Sequence, residues 1–177
     1  MTGLKQFILH QLHEMRREML LAISGLSEED LVAHGPHGRS PIAWIVQHCC
    51  SNLDMFIVRA VTGDFALEHD RRFTTWPLIE PQPDDDYPPG EVLIERWTTV
   101  VDAAIAAIES LPEEALQQPG PATSPEHNPE PLVESCLRVI NHQNAHLRQI
   151  WCIIGWRQID DRYPDQQTWL AATHPEW

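Results

Sequence analysis

Basic residues are scarce in this chain. Its 177 residues include 12 Lys and Arg against 26 Asp and Glu, which gives a formal net charge of −14, and Lys5 is the only lysine. Proteins that bind nucleic acid need clustered basic side chains that displace counterions from the phosphate backbone. The composition therefore argues against nucleic acid as a partner.

Long apolar runs are also missing. No segment approaches the roughly 18 consecutive apolar residues of a membrane-spanning helix. The N-terminus lacks the basic-then-apolar pattern of a signal peptide, because Glu14 and Glu18 interrupt it. We therefore expect no association with a membrane and predict a cytoplasmic location.

The few cysteines show no CxxC spacing that would indicate a redox motif or a zinc ribbon. Cys49 and Cys50 are adjacent, and neighbouring side chains on a helix point about 100° apart, so these two cannot easily form a disulfide. Cys136 and Cys152 also fall within a predicted helix. Reduced thiols are the simplest interpretation, and they agree with a cytoplasmic location.

Alternation of polar and apolar residues, which would predict strands, is absent over any useful length, whereas four long segments show helical periodicity. Helices are predicted over residues 4–24, 41–62, 91–110 and 131–154. Ser40 is expected to cap the second helix with Pro41 as its first residue, Gly63 to end it, and Gly155 to cap the fourth. The chain is thus predicted to be a single all-α domain over residues 1–177, a four-helix bundle with two long connections.

The segments outside the four helices are rich in proline and acid. Ser27–Asp30 has the pattern of a capping box that opens a short turn. The connection over residues 64–89 is long enough to suggest a functional loop, and its acidic stretch Asp84–Asp86 either gates a site or keeps the protein soluble. Three aromatic residues of the C-terminal tail are expected to pack back over the bundle: Trp156, Trp169 and Trp177.

Two histidines near the end of the fourth helix are the most informative feature. His142 and His146 stand four residues apart, so on a helix they lie on one face with about 6 Å between their Cβ atoms, close enough to share a metal ion. His48 lies on the inner face of the second helix and is the candidate third ligand. We therefore predict a three-histidine site that joins the second and fourth helices.

The simpler alternative is that these histidines are buried polar residues satisfied by hydrogen bonds. Burying imidazoles at positions that Leu or Ile would otherwise occupy costs free energy unless something engages their nitrogen atoms, and a metal ion does so well. The other histidines lie on an exposed helix face or in turns and loops, where a ligand role is not expected. These are His10, His13, His34, His37, His69, His127 and His174.

Three neutral imidazoles leave the charge of a divalent ion uncompensated. A zinc ion with three protein ligands keeps a fourth position open for water or substrate, which is the catalytic arrangement. Water bound there would have its pKa lowered toward about 7, and thiolates or carboxylates would bind directly. Nickel or copper is expected to compete for such a site.

Several motifs resemble the DinB/YfiT-like family of metalloenzymes. They are the Leu-Ser-Glu-Glu-Asp-Leu turn at residues 26–31, the segment Arg39-Ser40-Pro-Ile-Ala-Trp44-Ile-Val-Gln-His48, and the late pair His142 and His146 followed by Gln149. The resemblance implies an up-down-down-up four-helix bundle. It also implies a site for zinc or nickel, with His48, His142 and His146 as the ligands.

Two positions depart from the family pattern. Arg148 stands where the family often has glycine, and it either holds a substrate carboxylate or points to solvent. The acidic residue often found five positions after the first histidine is replaced by Leu53, between Asn52 and Asp54, so no general base is identified. Asn52 and Gln149, each near a predicted ligand, are candidates for orienting the site.

The resemblance implies a metal-dependent enzyme that acts on a small molecule. Some family members transfer a low-molecular-weight thiol, so an S-transferase is expected ahead of a hydrolase. The alternative is a non-catalytic metal-containing module that binds a small molecule or serves a stress response. A homodimer formed through an apolar helix face is a further expectation.

Overall fold

The computed structural model describes residues 3–35, 40–73, 81, 85–122 and 130–157, and this part of the chain is helical, with no strand among its elements. A π-helical turn, Asp54–Val58, joins the third and fourth helices. The helices in chain order are α1 (Leu4–Ile23), α2 (Glu28–Val32), α3 (Ile42–Leu53), α4 (Arg59–Thr62), α5 (Gly90–Ser110) and α6 (Leu132–Trp156). The prediction of an all-α fold is confirmed.

Four long helical segments pack around one hydrophobic core. Helix α1 packs against α5 and α6, and α3 packs against the same two helices, so α1 and α3 stand at opposite corners. Lys5 bonds to the backbone of Glu109, while Arg16 pairs with Asp102, so α1 and α5 run antiparallel. The complete up-down-down-up course stays a prediction.

Most apolar positions predicted to face inward are buried. On α5, for example, Leu93, Trp97 and Val100 are fully buried. Among the described residues, no helix is both long enough and apolar enough to cross a bilayer. The four cysteines are free thiols, and all except Cys152 are buried, as expected for reduced residues.

Three of the long helices begin directly after a proline, so their first residues differ by one from those predicted. Pro41, Pro89 and Pro131 occupy the N-cap position, with extended ψ values of 160°, 155° and 143°. Each supplies a carbonyl to the first helical turn, as in the bond from the Ile45 amide to Pro41 at 3.1 Å. The prediction that Ser40 caps the second helix, with Pro41 inside it, was therefore wrong by one residue, and so was the start at Pro131.

The C-terminal end of α6 also differs from the prediction. The helix continues through Gly155 to Trp156, and Arg157 is the capping residue. The Arg157 amide bonds to the Ile153 carbonyl at 2.9 Å, and its guanidinium lies 3.3 Å from Asp30, so the last turn is held against α2. Trp156 is 57% exposed rather than packed on the bundle, and Trp169 and Trp177 lie outside the described residues.

Two helix ends predicted from local signals, the start of α2 and the end of α4, are confirmed. Ser27 caps α2 by accepting a hydrogen bond from the Asp30 amide at 3.1 Å, and the two side chains are joined at 2.6 Å. Gly63 ends α4 with a φ of 93°, a left-handed conformation that glycine adopts without steric cost. Of the acidic stretch in the long connection, Asp84 lies outside the described residues.

Candidate metal centre

The three predicted ligands come together where α3 packs against α6. His48 is buried, with 4% of its surface exposed, whereas His142 and His146 are half-buried. The fully buried positions of this part of α6 belong to Gln143 and Leu147. His142 and His146, which the sequence places on the inner stripe of this helix, therefore lie at the edge of the core.

The ring nitrogens of this histidine triad (His48, His142 and His146) converge on one point. The Nε2 atom of His142 lies 3.2 Å from Nε2 of His48 and 3.2 Å from Nε2 of His146. Two nitrogens bound to one zinc ion at about 2.0–2.1 Å, with a tetrahedral angle between them, would be about 3.3 Å apart. The spacing of the donor atoms therefore fits a single divalent ion.

Hydrogen bonds among the three rings satisfy the triad only in part. A neutral imidazole carries one proton, so one of its nitrogens donates and the other accepts. If Nε2 of His142 donates to one neighbouring ring, it cannot also accept a proton from the other at the same atom. A cation at the centre would engage all three lone pairs at once, which is why the arrangement suits a metal ion.

The Nδ1 atoms on the other side of the three rings differ in their hydrogen bonding. Nδ1 of His146 lies 2.7 Å from Oε1 of Gln149, and an amide oxygen only accepts, so Nδ1 carries the proton and Nε2 presents its lone pair to the triad. Nδ1 of His142 is buried without a hydrogen-bond partner among the described residues. Nδ1 of His48 also lacks one of normal geometry there, although the backbone of Phe73 lies near its ring.

Burial keeps the three rings neutral at physiological pH. Loss of solvent, followed by repulsion from His146 and His142, lowers the pKa of His48 to about 4. Loss of solvent and repulsion from His146 and Arg138 lower the pKa of His142 to about 4. The pKa of His146 is also lowered by burial. Neutral imidazoles have the lone pairs that metal binding requires, so the electrostatics agree with the geometry.

Neighbouring residues orient His48 or point away from it. The indole of Trp44 stacks on the His48 ring at a centroid distance of 4.9 Å and an angle of 12°. Asn52 is buried one helical turn from His48, and its role in orienting the site stays a prediction. Arg148 is exposed and lines a separate groove between α1 and α6, with Glu14 and other residues, which favours the solvent-facing alternative.

A second cluster of polar groups lies at the π-helical turn that follows α3. The Asp54 side chain is fully buried and accepts hydrogen bonds from the amides of Ala66 and Leu67 at 2.9 and 3.0 Å. Its Oδ2 also lies 2.7 Å from Nε2 of His69. We call this cluster the loop anchor, because every one of these bonds ties the connection after α4 to the bundle.

A cleft of about 480 Å³ opens beside the loop anchor. Its walls come from α3, α5 and the long connection, and they include Gln47, His69, Phe73 and Arg96. Arg96 donates to Oε1 of Gln47 at 2.8 Å and to the Glu68 carbonyl at 2.8 Å, which holds the connection over α3. The triad does not line this cleft, although Phe73 lines it and its backbone lies near His48.

Fold and site together define a helical bundle with a candidate three-histidine metal centre between α3 and α6. A family model described as the DinB superfamily matches residues 11–150, which include all three histidines. The chain belongs to the DinB superfamily. No curated protein and no solved structure matches the chain.

Sequence reasoning missed the loop anchor. His69 was predicted to lie in a loop with no ligand role, and Asp54 was named only as the neighbour of Leu53. These two residues are separated by a helix end and a turn, so no spacing rule links them. The only signal in the sequence was an acidic residue within an otherwise apolar segment of the second helix.

Proposed function

We propose that this protein is a divalent-metal-dependent enzyme in which His48, His142 and His146 hold the ion. The observation that supports this most is the convergence of three neutral Nε2 atoms, two pairs of them 3.2 Å apart. Zinc and nickel are the ions we favour. Such a site keeps a coordination position open for a small molecule.

The reaction we favour is transfer of a low-molecular-weight thiol to a small electrophile. The ion would lower the pKa of a bound thiol or of a water molecule, which makes either one a nucleophile at neutral pH. The residues of the chain would supply position: Gln149 holds the proton on the far side of His146, and Trp44 fixes the plane of His48. Hydrolysis by activated water is the closest alternative reaction.

Elemental analysis of protein purified without an affinity tag or chelator tests the metal site. We expect about one zinc or nickel ion per chain, and we expect His48→Ala and His146→Ala to lose it. His10→Ala is the matched control, because His10 is exposed on α1 and should leave the metal content unchanged. A metal-free wild type that stays metal-free after incubation with zinc would overturn the proposal.

Thiol transfer and hydrolysis are separated by activity assays on the zinc-loaded protein. A small thiol with a chlorinated aromatic electrophile tests the first reaction, and an activated ester tests the second. We expect conjugation to depend on all three histidines. Ester hydrolysis without conjugation would replace the transferase proposal with a hydrolase.

A non-catalytic metal-containing module remains the second candidate, and one observation favours it. Both oxygens of Asp54, the carboxylate nearest in sequence to the expected general base, are engaged by the loop anchor. Asp54 is therefore not free to accept a proton during catalysis. A stoichiometric bound ligand without turnover would support this candidate.

A further inference from the structure

The cleft beside the loop anchor is lined by a histidine that the metal centre does not use. His69 lines this cleft of about 480 Å³, and only 9% of its side chain is exposed. Its Nε2 atom lies 2.7 Å from Oδ2 of Asp54, a fully buried carboxylate that also accepts two backbone amides. A carboxylate only accepts hydrogen bonds, so Nε2 carries the ring proton. Asp54 therefore fixes both the orientation and the tautomer of the His69 ring.

The other nitrogen of the His69 ring is left for a ligand. In a neutral imidazole with its proton on Nε2, the Nδ1 atom holds a lone pair and accepts a hydrogen bond. Among the described residues, Nδ1 of His69 has no hydrogen-bond partner, yet it keeps access to solvent. Because His69 lines the cleft, that access is through the cleft. A fixed acceptor in such a place recognises a proton-donating group of a small molecule.

A positive charge lies on the same wall of the cleft. Arg96 lines the cleft, and its Nη2 atom donates to the Glu68 carbonyl at 2.8 Å. The carbon of that carbonyl is bonded to the backbone nitrogen of His69. Standard bond lengths therefore place Nη2 of Arg96 within about 10 Å of Nδ1 of His69, which is within reach of one small molecule.

No carboxylate neutralises this guanidinium directly. In the part of the chain that the structure describes, Arg96 donates only to uncharged acceptors, the Gln47 side-chain oxygen and the Glu68 carbonyl, each at 2.8 Å. Its Nη1 group makes no hydrogen bond with any described residue. By contrast, the other arginine of the cleft, Arg72, is paired with Asp70 at 2.7 Å. Arg96 thus retains a charge and donors for an anionic group.

Acidic side chains also line the cleft, but they are exposed to solvent. They are Glu68, Asp70 and Asp86. Solvent and salt screen exposed charges, so these carboxylates act weakly on a group bound at the buried wall. They nevertheless disfavour a ligand with several negative charges. The lining therefore suits a molecule with one anionic group.

We propose that this cleft binds a small carboxylate that also carries a proton-donating group, either a hydroxyl or an ammonium group. The carboxylate pairs with Arg96, and the proton-donating group donates to Nδ1 of His69. Asp54 is a positioning residue, because it holds the proton on the opposite nitrogen of the ring. The triad does not line the cleft, so this site is independent of the metal centre.

Three probes of matched size test the proposal. Propionate, glycolate and glycine share a carboxymethyl group and end in a methyl, a hydroxyl and an ammonium group. Each is titrated into the ¹⁵N-labelled protein, with and without zinc, at about pH 8, where a free imidazole is neutral. Amide chemical shifts give the dissociation constants, and the ring ¹⁵N shifts of His69 report its tautomer and hydrogen bonding. We expect glycolate, glycine or both to bind about tenfold more tightly than propionate, as for one additional hydrogen bond.

Two variants separate the two contacts. His69→Phe keeps a ring and removes the lone pair, so it should abolish the preference over propionate. Arg96→Gln removes the charge, so it should weaken binding of all three probes about tenfold and keep the preference. His10→Phe and Arg59→Gln are the matched controls at exposed positions on α1 and α4, and they should change neither quantity. Thermal unfolding of each variant shows whether its fold is intact.

Several results would overturn this site. They are equal binding or no binding of the three probes by the wild type, a preference that persists in His69→Phe, and a bound glycolate or glycine that leaves the ring nitrogens of His69 unchanged. If His69→Phe does not fold, the ring ¹⁵N shifts of the wild type decide the question alone. The zinc content of the protein is measured separately, so failure of this site leaves the proposed function standing, and failure of the metal centre leaves this site standing.

Discussion

The triad and the loop anchor both contain histidine side chains that are at least partly buried, but their hydrogen bonding differs. At the loop anchor, two backbone amides and His69 donate to a fully buried carboxylate, so the polar atoms of Asp54 are satisfied by the protein itself. In the triad, three Nε2 atoms face one another, and Nδ1 of His142 has no partner among the described residues. Buried polar groups that are satisfied stabilise a fold, whereas unsatisfied ones call for a functional explanation.

This difference indicates that the two clusters have different roles. The loop anchor holds the connection after α4 against the bundle and shapes the cleft beside it. The triad retains lone pairs that the protein does not use, which is a condition for binding an ion. Substitutions in the two clusters should therefore have opposite effects on the stability of the metal-free protein. A variant that does not follow this pattern would contradict the distinction between them.

Removing the carboxylate of the loop anchor should have the largest effect. Asp54→Ala leaves the amides of Ala66 and Leu67 and the ring of His69 without their acceptor. Leaving a buried hydrogen-bonding group unsatisfied costs about 1–3 kcal/mol per group. Urea unfolding of the metal-free protein measures this loss. Asp64→Ala, at an exposed position on the same connection, is the control and should change stability by less than about 0.5 kcal/mol. A loss below about 1 kcal/mol in Asp54→Ala would show that the anchor is dispensable.

A ligand of the triad should behave in the opposite way. His142→Leu removes an imidazole with an unsatisfied nitrogen, so the metal-free protein should keep its stability or gain some. Zinc at a hundredfold excess over its dissociation constant should stabilise the wild type by about 2.7 kcal/mol and the variant not at all. Thermal unfolding with and without zinc measures both effects. Strong destabilisation of the metal-free variant would instead indicate that the triad is a structural hydrogen-bond cluster.

The stability of the metal-free protein should also depend on pH through the triad. Histidine in an unfolded chain has a pKa of about 6.5, whereas burial lowers the pKa of His48 and of His142 to about 4. Between these values, the unfolded chain binds protons that the folded chain excludes, so the free energy of unfolding decreases as the pH falls from about 6.5 to 4.

Chemical unfolding across that pH range measures the decrease, which has an upper limit of about 3 kcal/mol per histidine because one pKa unit corresponds to about 1.4 kcal/mol. The contribution is fully present above pH 6.5, where both states are neutral at these positions. His142→Leu should reduce the slope. A slope identical in the variant and the wild type would show that His142 does not contribute to it.

The smallest expected effect is on metal affinity, and it concerns Gln149, which contacts Nδ1 of His146. Gln149→Ala removes the acceptor that orients its ring, and loss of such a partner lowers metal affinity about tenfold or more. Competition with a zinc-binding dye measures the change. Arg148→Ala is the neighbouring control, since Arg148 is exposed in a different groove and should leave zinc affinity unaltered. Equal affinities of the two variants would remove Gln149 from the site.

Periodicity and turn residues were sufficient to predict the helices and their approximate ends. The positions of Gly63 and Ser27 were correct because left-handed conformation and amide capping depend on local chemistry alone. The ends at Pro131 and Gly155 were wrong by one or two residues. At Gly155, the contact between Arg157 and Asp30, far apart in the chain, supports a further turn of helix.

The candidate ligands could also be predicted, but their surroundings could not. His142 and His146 are related by helical spacing, and His48 was identified by its face and by family resemblance. The half-buried position of His142 and His146 depends on which face of α6 packs against α3. Gln143 lies on that face, where its side-chain amide donates a hydrogen bond to the Cys49 carbonyl at 2.9 Å. No pattern within one helix contains that information.

The sequence by itself thus determined a DinB-superfamily helical bundle and the three histidines of its candidate metal centre, because spacing along a helix decides which side chains share a face. Only the tertiary structure decided that their Nε2 atoms converge and that Asp54 serves the loop anchor. These features depend on contacts between segments distant in the chain, and their distances are set when the helices pack together.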